Sequence, residues 1–219
     1  MIMGDRYNRL RTCLQLIASM IILVFTMNVM ANDRMPPIPA DQMTKLQKEA
    51  VEEFKKARNT TKGPFGPFVP LLRSPEMLSR VRNVGDYVRF NNVLPGRLSE
   101  FVILITARHW TQQYEWAVHS AIAERAGLGS SVIDAVADGR RPDQMMDDEA
   151  VVYDFCTELL NTQSVSDRTY ARAVSLFAEK GVIDAIGILG YYSMLAMIMN
   201  TAHTPLDEGM SLALPTFPR

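Results

Sequence analysis

The chain has 219 residues, of which 47% are hydrophobic and 21% are charged, and its formal net charge is −1 at pH 7. This composition is typical of a globular protein and argues against a disordered, collagen-like or nucleic-acid-binding chain. Cysteine occurs only at positions 13 and 156. The first of these falls in the leader described next, which excludes an intramolecular disulfide framework and a cysteine-based zinc cluster.

The N-terminus has the pattern of an export signal. Three arginines within residues 6–11 precede an uncharged stretch over residues 12–31, which ends in Val-Met-Ala. Basic residues, an apolar run and small side chains at positions −3 and −1 predict cleavage after Ala31. The alternative is an uncleaved anchor, because ~20 uncharged residues are about enough to span a bilayer. In both cases we expect export to the periplasm or the medium, without membrane contact beyond this segment.

The apolar residues of the remaining chain repeat with helical spacing, and no segment alternates with period two. The sequence therefore predicts an all-α domain. Prolines and glycines over 63–75 predict an ordered, semi-extended segment between two helices. The predicted helices cover residues 41–58, 75–91, 97–109, 112–126, 131–138, 147–161, 167–180 and 182–200. Gly127, Gly139 and Gly181 are expected at helix C-termini.

Two helices carry further expectations. In helix 75–91, the inward positions are predicted to be Met77, Val81, Val84 and Val88. Helix 182–200 is nearly uncharged over a length that could cross a membrane. We interpret it instead as a buried helix, because Asp184 interrupts the run.

Titratable groups gather within apolar helices around His109 and His119. Glu115 precedes His119 by four residues, so the two share one helical face and come within reach of a direct or water-bridged hydrogen bond. Apolar bulk from Trp116 and Val118 would raise the pKa of the acid and prepare it for proton transfer near neutral pH. The alternative is a solvent-exposed pair, which is the commoner outcome for this spacing.

Glu100 is a second acid, placed inside an apolar run. It precedes His119 by 19 residues, about 28 Å along a continuous helix at 1.5 Å per residue. The two side chains can meet only if the helix breaks near Trp110 and Thr111 and folds back. Such a break would bring two carboxyl groups and an imidazole together as a general acid/base site that needs no cofactor.

This acid and histidine lie among several distinctive stretches: GPFVPLLRSPEM, ARHW, QYEWAVH, AERAGL, VYDFCTELL, SDRTYARAVSLF and GVIDAIGILGYY. Together they cover about residues 63–205 and resemble the carboxymuconolactone decarboxylase family, whose relatives include the alkyl hydroperoxidase D proteins. The resemblance implies an all-α domain that forms homotrimers or homohexamers, with its active site in a helical pocket near a subunit boundary. Residues 1–31, 32–62 and 206–219 would be the signal, an N-terminal helix with linker, and a tail.

The hydroperoxidase relatives use a glutamate, a Cys-x-x-Cys pair and a histidine. Glu100 and His119 match the two ends of that site, while Gln112 and Glu115 stand where the cysteines would be. A thiol peroxidase needs a thiolate and normally a second, resolving thiol. Hydroperoxidase or peroxiredoxin activity is therefore the least favoured alternative, and Cys156 is interpreted as a packed core residue.

The decarboxylase members resemble this chain in lacking the cysteines, and they use neither a metal nor an organic cofactor. The resemblance implies a lyase that acts on a small carboxylated lactone or a related enolisable acid, although an isomerase remains open. In this hypothesis Glu115 and His119 transfer the proton, and Glu100 orients His119.

The candidate substrate-binding residues fall into two groups. Arg73 and Arg89 are candidate carboxylate clamps, and Gln112, Trp116 and Tyr191 are expected to line the pocket. Two alternatives stay open beside an enzyme of this kind. One is a non-catalytic protein that binds a small acid, and the other is a metal site built from Glu100, His109, Glu115 and His119.

Overall fold

The computed structural model describes residues 32–215, so the predicted export signal lies outside the described residues. The described part of the chain contains eight α-helices and no β-strand, which confirms the predicted all-α class. The helices are α1 (Lys45–Ala57), α2 (Phe68–Leu71), α3 (Pro75–Phe90), α4 (Gly96–His109), α5 (Gln113–Arg125), α6 (Ser130–Ala137), α7 (Asp147–Thr162) and α8 (Asp167–Ala202).

Helix α4 occupies the centre of the fold. Every residue from Leu98 to Arg108 is buried, and the helix packs against α5, α7 and α8. A helix with apolar side chains on all sides is stable only when it is surrounded by other elements. This placement carries Glu100 into the interior, where its carboxyl group needs a partner.

Aromatic packing joins the N-terminal helix to the proline-rich segment. Phe54 of α1 is fully buried, and its ring centroid lies 5.7 Å from that of Phe65 and 5.2 Å from that of Phe68. The prediction of a semi-extended segment over 63–75 is wrong for most of its length, because residues 66–73 form turns around the single helical turn of α2. These contacts join the segment to the C-terminal part of α1.

The inward face of α3 differs from the prediction at two of four positions. Met77 and Val84 are 43% and 50% exposed, whereas Leu78 and Gly85 take inward positions. Both sets satisfy the helical period, and a glycine has no side chain by which a hydrophobic pattern could reveal it. The predictions for Val81 and Val88 are confirmed.

Helix α8 covers both predicted helices, 167–180 and 182–200, and contains one kink, which lies earlier than the predicted boundary. The break lies at Ala178, which has φ 53° and ψ 174°, and Gly181 does not cap a helix. Gly181 instead lets Phe177 approach, because a Cβ at position 181 would lie 2.5 Å from the Phe177 Cβ. The predicted caps at Gly127 and Gly139 do have positive φ, at 95° and 72°.

By length and composition α8 could cross a membrane, but 61% of its most apolar 18-residue window is buried within the structure. Its buried side chains include Ile188, Leu195 and Met199. This burial is typical of a core helix.

We expect Gly85→Ala to lower the free energy of unfolding by about 1–3 kcal/mol through overpacking. The added Cβ would overlap the Tyr191 hydroxyl oxygen and lie 2.5 Å from Cζ of the same buried ring. Gly96→Ala is the matched control, since a Cβ on this exposed first residue of α4 would have no other atom within 4 Å. Urea unfolding of the two variants measures the difference, and equal stabilities would contradict this packing.

Candidate active site

The turn between α4 and α5 creates the site. Helix α4 ends at His109, and Thr111 follows with φ 48°, a left-handed conformation that is uncommon for a β-branched residue. Helix α5 begins at Gln113, and the Gln112 side-chain oxygen accepts a hydrogen bond of 2.6 Å from the Tyr114 amide. The predicted break near Trp110 and Thr111 is therefore confirmed, and α5 folds back along α4.

The fold-back places the imidazole of His119 between two carboxyl groups. Its Nδ1 lies 2.6 Å from Oε2 of Glu100, and its Nε2 lies 3.5 Å from Oε2 of Glu115. All three residues are buried. Because an ionised carboxylate can only accept hydrogen bonds, Nδ1 donates to Glu100 and Nε2 is directed to Glu115. The predicted convergence of these three residues is confirmed.

Glu115 is the residue of this cluster whose carboxyl group lacks hydrogen-bond partners in the described part of the chain. Its Oε1 is buried and has no hydrogen-bond partner among residues 32–215. Burial raises the pKa of Glu115 to about 6, Glu100 adds to the rise, and the charges of His119 and Arg89 oppose it. An acid with this pKa carries a proton for part of the time near neutral pH and can exchange it with a neighbour.

A cavity of about 70 Å³ opens beside Glu115 and His119. Two guanidinium groups line it: Arg89, and Arg58, which is 3.1 Å from Asp86. Aromatic and apolar side chains form the remainder of its wall, namely Phe65, Pro67, Phe68, Tyr114, Val118, Tyr191, Tyr192 and Leu195. The cavity therefore combines an acid, an imidazole and two cations within a largely apolar enclosure.

Two tyrosines pack against neighbouring parts of the cavity: Tyr192 contacts the imidazole of His119, and Tyr114 contacts Gly66. The edge-to-face contact between His119 and Tyr192 has a centroid distance of 5.0 Å. Tyr114 donates a hydrogen bond of 2.8 Å to Asp207. Gly66 rests on the Tyr114 ring with φ 52°, where a Cβ would come within 2.7 Å of that ring. Glycine at position 66 thus permits both the backbone conformation and the close approach.

The structure brings some of the expected substrate-binding residues to the cavity and not others. Arg89 and Tyr191 line it. Arg73 donates instead to the Pro36 carbonyl oxygen, over 2.7 Å. Gln112 is occupied at the start of α5 and donates to Asn200, over 2.8 Å. Trp116 packs into the hydrophobic core.

Sequence reasoning missed Arg58, Tyr114 and Tyr192 as cavity residues. Arg58 follows the end of α1, and only the packing of α1 on α3 brings it to Glu115. Tyr192 adjoins the predicted Tyr191 in the sequence. That adjacency was the signal by which Tyr192 could have been proposed, and in the structure the two ring centroids are 5.2 Å apart.

Two other reactive side chains lie apart from this cavity. Cys156 is fully buried among apolar residues that include Val152, Phe155 and Val182. Burial raises the pKa of its thiol to about 12, which disfavours the thiolate. His109 lines a different cavity, so the metal site that would combine it with Glu100, Glu115 and His119 does not form.

Among known proteins, no family model and no curated sequence matches the chain. Solved structures do match. An uncharacterized peroxidase-related protein from Ralstonia eutropha JMP134, an alkylhydroperoxidase AhpD core, is 15% identical with a TM-score of 0.64, over 80% of this chain and 92% of that chain. A peroxidase-related protein from Silicibacter sp. TM1040 is 11% identical with a TM-score of 0.65, over 83% and 96%.

The chain has the alkylhydroperoxidase D fold. The same fold occurs in the debrominase Bmp8, whose cysteine-to-alanine variant was solved in complex with 2,3,4-tribromopyrrole. That structure is 12% identical with a TM-score of 0.61, over 81% of this chain and 94% of that chain. At such identities the likeness establishes the alkylhydroperoxidase D fold alone, and the chemistry has to be argued from the residues of the site.

Replacement of Glu115 by Gln should change how stability depends on pH. Burial raises the pKa of Glu115 from 4.5 to about 6. The folded chain therefore binds more protons than the unfolded chain within this window, and its stability falls as the pH rises through it. The variant lacks this loss. Its free energy of unfolding relative to that of the wild type should therefore be higher at pH 7 than at pH 4, by on the order of 2 kcal/mol.

Urea unfolding of both proteins at the two pH values measures this gain. A constant difference between the two proteins would mean that Glu115 titrates as it does in the unfolded chain.

Proposed function

We propose that this protein is a cofactor-free lyase of the carboxymuconolactone decarboxylase type, acting on a small carboxylated lactone or a related enolisable acid. The observation that carries the proposal is the position of Glu115. Its buried carboxyl group faces Nε2 of His119 at 3.5 Å, while Glu100 holds Nδ1 of the same ring at 2.6 Å. A general acid of raised pKa, an oriented imidazole and an adjoining cavity are the parts that proton transfer to carbon requires.

In the proposed reaction, the C–C bond between the carboxylate group and the adjacent carbon of the substrate breaks and releases CO₂. The electron pair remains in a dienolate, which Glu115 then protonates on carbon. The resulting Glu115 carboxylate regains a proton from solvent by way of Nε2 of His119. Glu100 does not touch the substrate in this scheme and serves as a positioning residue, because its bond to Nδ1 sets the tautomer of His119.

The two guanidinium groups supply charge for an anionic substrate. Arg89 and Arg58 both line the cavity beside Glu115. Because Asp86 already pairs with Arg58, we assign the carboxylate clamp to Arg89. An arginine fork binds a carboxylate through two parallel hydrogen bonds and also stabilises the negative charge that develops in the dienolate.

The cavity must widen to admit such a substrate. Its volume of about 70 Å³ is small beside the roughly 300–1,000 Å³ of common ligand sites. Phe65 and Pro67 line the cavity, and the Phe65 side chain is about half exposed. We therefore assign substrate entry to a displacement of the Gly63–Pro67 segment.

Thiol chemistry is not supported by the residues. A peroxide-reducing thiol must ionise and reach solvent, whereas Cys156 is buried and the pKa of its thiol is raised to about 12. The positions that the resemblance assigns to redox cysteines are Gln112 and Glu115. The peroxidase-related names of the structural neighbours are therefore not carried over to this chain.

We also propose export and assembly into homotrimers or homohexamers. Phe90, Val93 and Ile183 are large apolar side chains that are exposed in the single chain. The Val93 amide donates a hydrogen bond of 2.9 Å to Asp184, the residue that follows Ile183 in the sequence, so Val93 and Ile183 belong to neighbouring parts of the surface. Apolar side chains gathered in this way are typical of surfaces that bind another protein.

If this surface joins copies of the chain, Ile183→Lys should reduce the sedimentation-equilibrium mass from that of a trimer or hexamer toward that of one chain. Lys56→Glu, an exposed change on α1, is the control. An unchanged mass for Ile183→Lys would place the interface elsewhere.

Glu115→Gln and His119→Ala should each abolish turnover while the oligomer stays intact. Purified residues 32–219 are incubated with a panel of carboxylated lactones and keto acids in deuterated water, and both CO₂ release and deuterium incorporation are followed. Deuterium on carbon together with CO₂ loss is expected for the wild type. Arg89→Gln should mainly raise KM, because it weakens the hold on the carboxylate.

Retained turnover in both site variants would reject the assignment of the proton donor. Deuterium exchange without CO₂ release would indicate an isomerase instead. Binding without either reaction would indicate a non-catalytic protein that binds a small acid.

A further inference from the structure

A second cavity, of about 210 Å³, lies at the C-terminal ends of α4 and α6 and along one face of α7. It is larger than the cavity beside Glu115, with which it shares no lining residue. The proposed proton transfer does not use this cavity.

The charged side chains that line the second cavity are cationic. Arg108, His109 and Arg140 line it, and no Asp or Glu is among its described lining residues. Burial lowers the pKa of His109, so its ring is neutral at neutral pH and the positive charge comes from the two arginines. The carbonyl ends of two helices meet here and help to stabilise these guanidinium groups.

The two arginines differ in their surroundings. Arg108 is buried, and its Nη1 donates to the Pro215 carbonyl over 3.0 Å. Arg140 pairs with Asp138 over 3.2 Å, and both side chains are more than half exposed. An exposed pair of this kind contributes about 0–1 kcal/mol, so Arg140 can exchange Asp138 for a ligand at little cost.

The rest of the wall is mainly apolar. Ile105 and Val136 are buried residues of α4 and α6, and Tyr153 and Leu160 come from α7. The Tyr153 ring stacks on Phe101 with a centroid distance of 6.2 Å, which fixes its orientation. A fixed aromatic ring, aliphatic side chains and two cations together match a compact molecule that has an apolar body and one anionic end.

We propose that this second cavity binds a small organic carboxylate with an apolar or aromatic body. The carboxylate pairs with Arg140 and lies in the field of Arg108. The body packs between Ile105, Leu160 and the Tyr153 ring. This site is separate from the proposed proton-transfer site, and its occupancy does not depend on the chemistry at Glu115.

Calorimetric titration of the full domain, residues 32–219, with benzoate tests the proposal, and benzamide serves as the uncharged counterpart. We expect benzoate to bind and benzamide to bind at least about tenfold more weakly. Arg140→Gln should weaken benzoate binding by about tenfold, as expected for one charge-assisted contact. Arg125→Gln makes the same change in net charge at an exposed position outside the cavity and should leave binding unchanged.

Two further variants locate the site. Leu160→Trp fills the cavity and should abolish benzoate binding, whereas Glu115→Gln should leave it intact. Binding weaker than about 1 mM, equal affinity for benzamide, or full affinity in Arg140→Gln would each overturn the proposal. Loss of binding in Arg89→Gln with retention in Arg140→Gln would also overturn it, because benzoate would then occupy the cavity beside Glu115.

Discussion

The hydrogen bond between His119 Nδ1 and Glu100 is the interaction on which the site depends. It joins the second turn of α4 to the second turn of α5 over 2.6 Å, and it can form only because the chain reverses at Thr111 with φ 48°. A buried hydrogen bond to a charged group contributes roughly 1.5–3 kcal/mol, and loss of one partner costs more because the other stays desolvated. The bond thus stabilises the reversal and orients the imidazole at the same time.

The site also contains a buried carboxyl oxygen, Oε1 of Glu115, for which the described residues around it provide no hydrogen bond. Burial of two carboxyl groups in one core is unfavourable unless each gains a partner. Glu100 has His119, but Oε1 of Glu115 has no hydrogen-bond partner within residues 32–215. Local rules of stability are commonly broken at functional sites. Protonation of Glu115 removes the buried charge, and a substrate that donates to Oε1 would supply the missing hydrogen-bond partner.

The sequence was informative wherever the relevant contact is local. Glu115 and His119 meet because four residues make one helical turn, and Glu100 reaches them because the stretch after His109 does not continue the helix. The resemblance of residues 63–205 likewise predicted the all-α fold. Contacts between distant elements were not predictable. Periodicity could not show that α1 delivers Arg58, nor that Gly85 faces inward to make room for Tyr191.

The expected roles of Arg73 and Gln112 illustrate the same limit. Each residue type suits substrate binding, but a side chain with several donors or acceptors also suits the backbone around it. Arg73 is held by the Pro36 carbonyl and Gln112 by the Tyr114 amide and Asn200. The type of residue alone does not show whether its side chain binds a ligand or a neighbouring segment of the chain.

The proposed role of Glu115 as a proton donor beside His119 requires that its pKa lies close to neutral pH. Carbon-13 NMR of the Glu115 carboxyl carbon, assigned by comparison with Glu115→Gln and followed from acidic to neutral pH, measures its ionisation directly. We expect a titration midpoint at about 6, above the ordinary value of 4.5. A midpoint at or below that ordinary value would contradict this role, because the protonated fraction of Glu115 at pH 7 would then fall from about 10% to below about 1%.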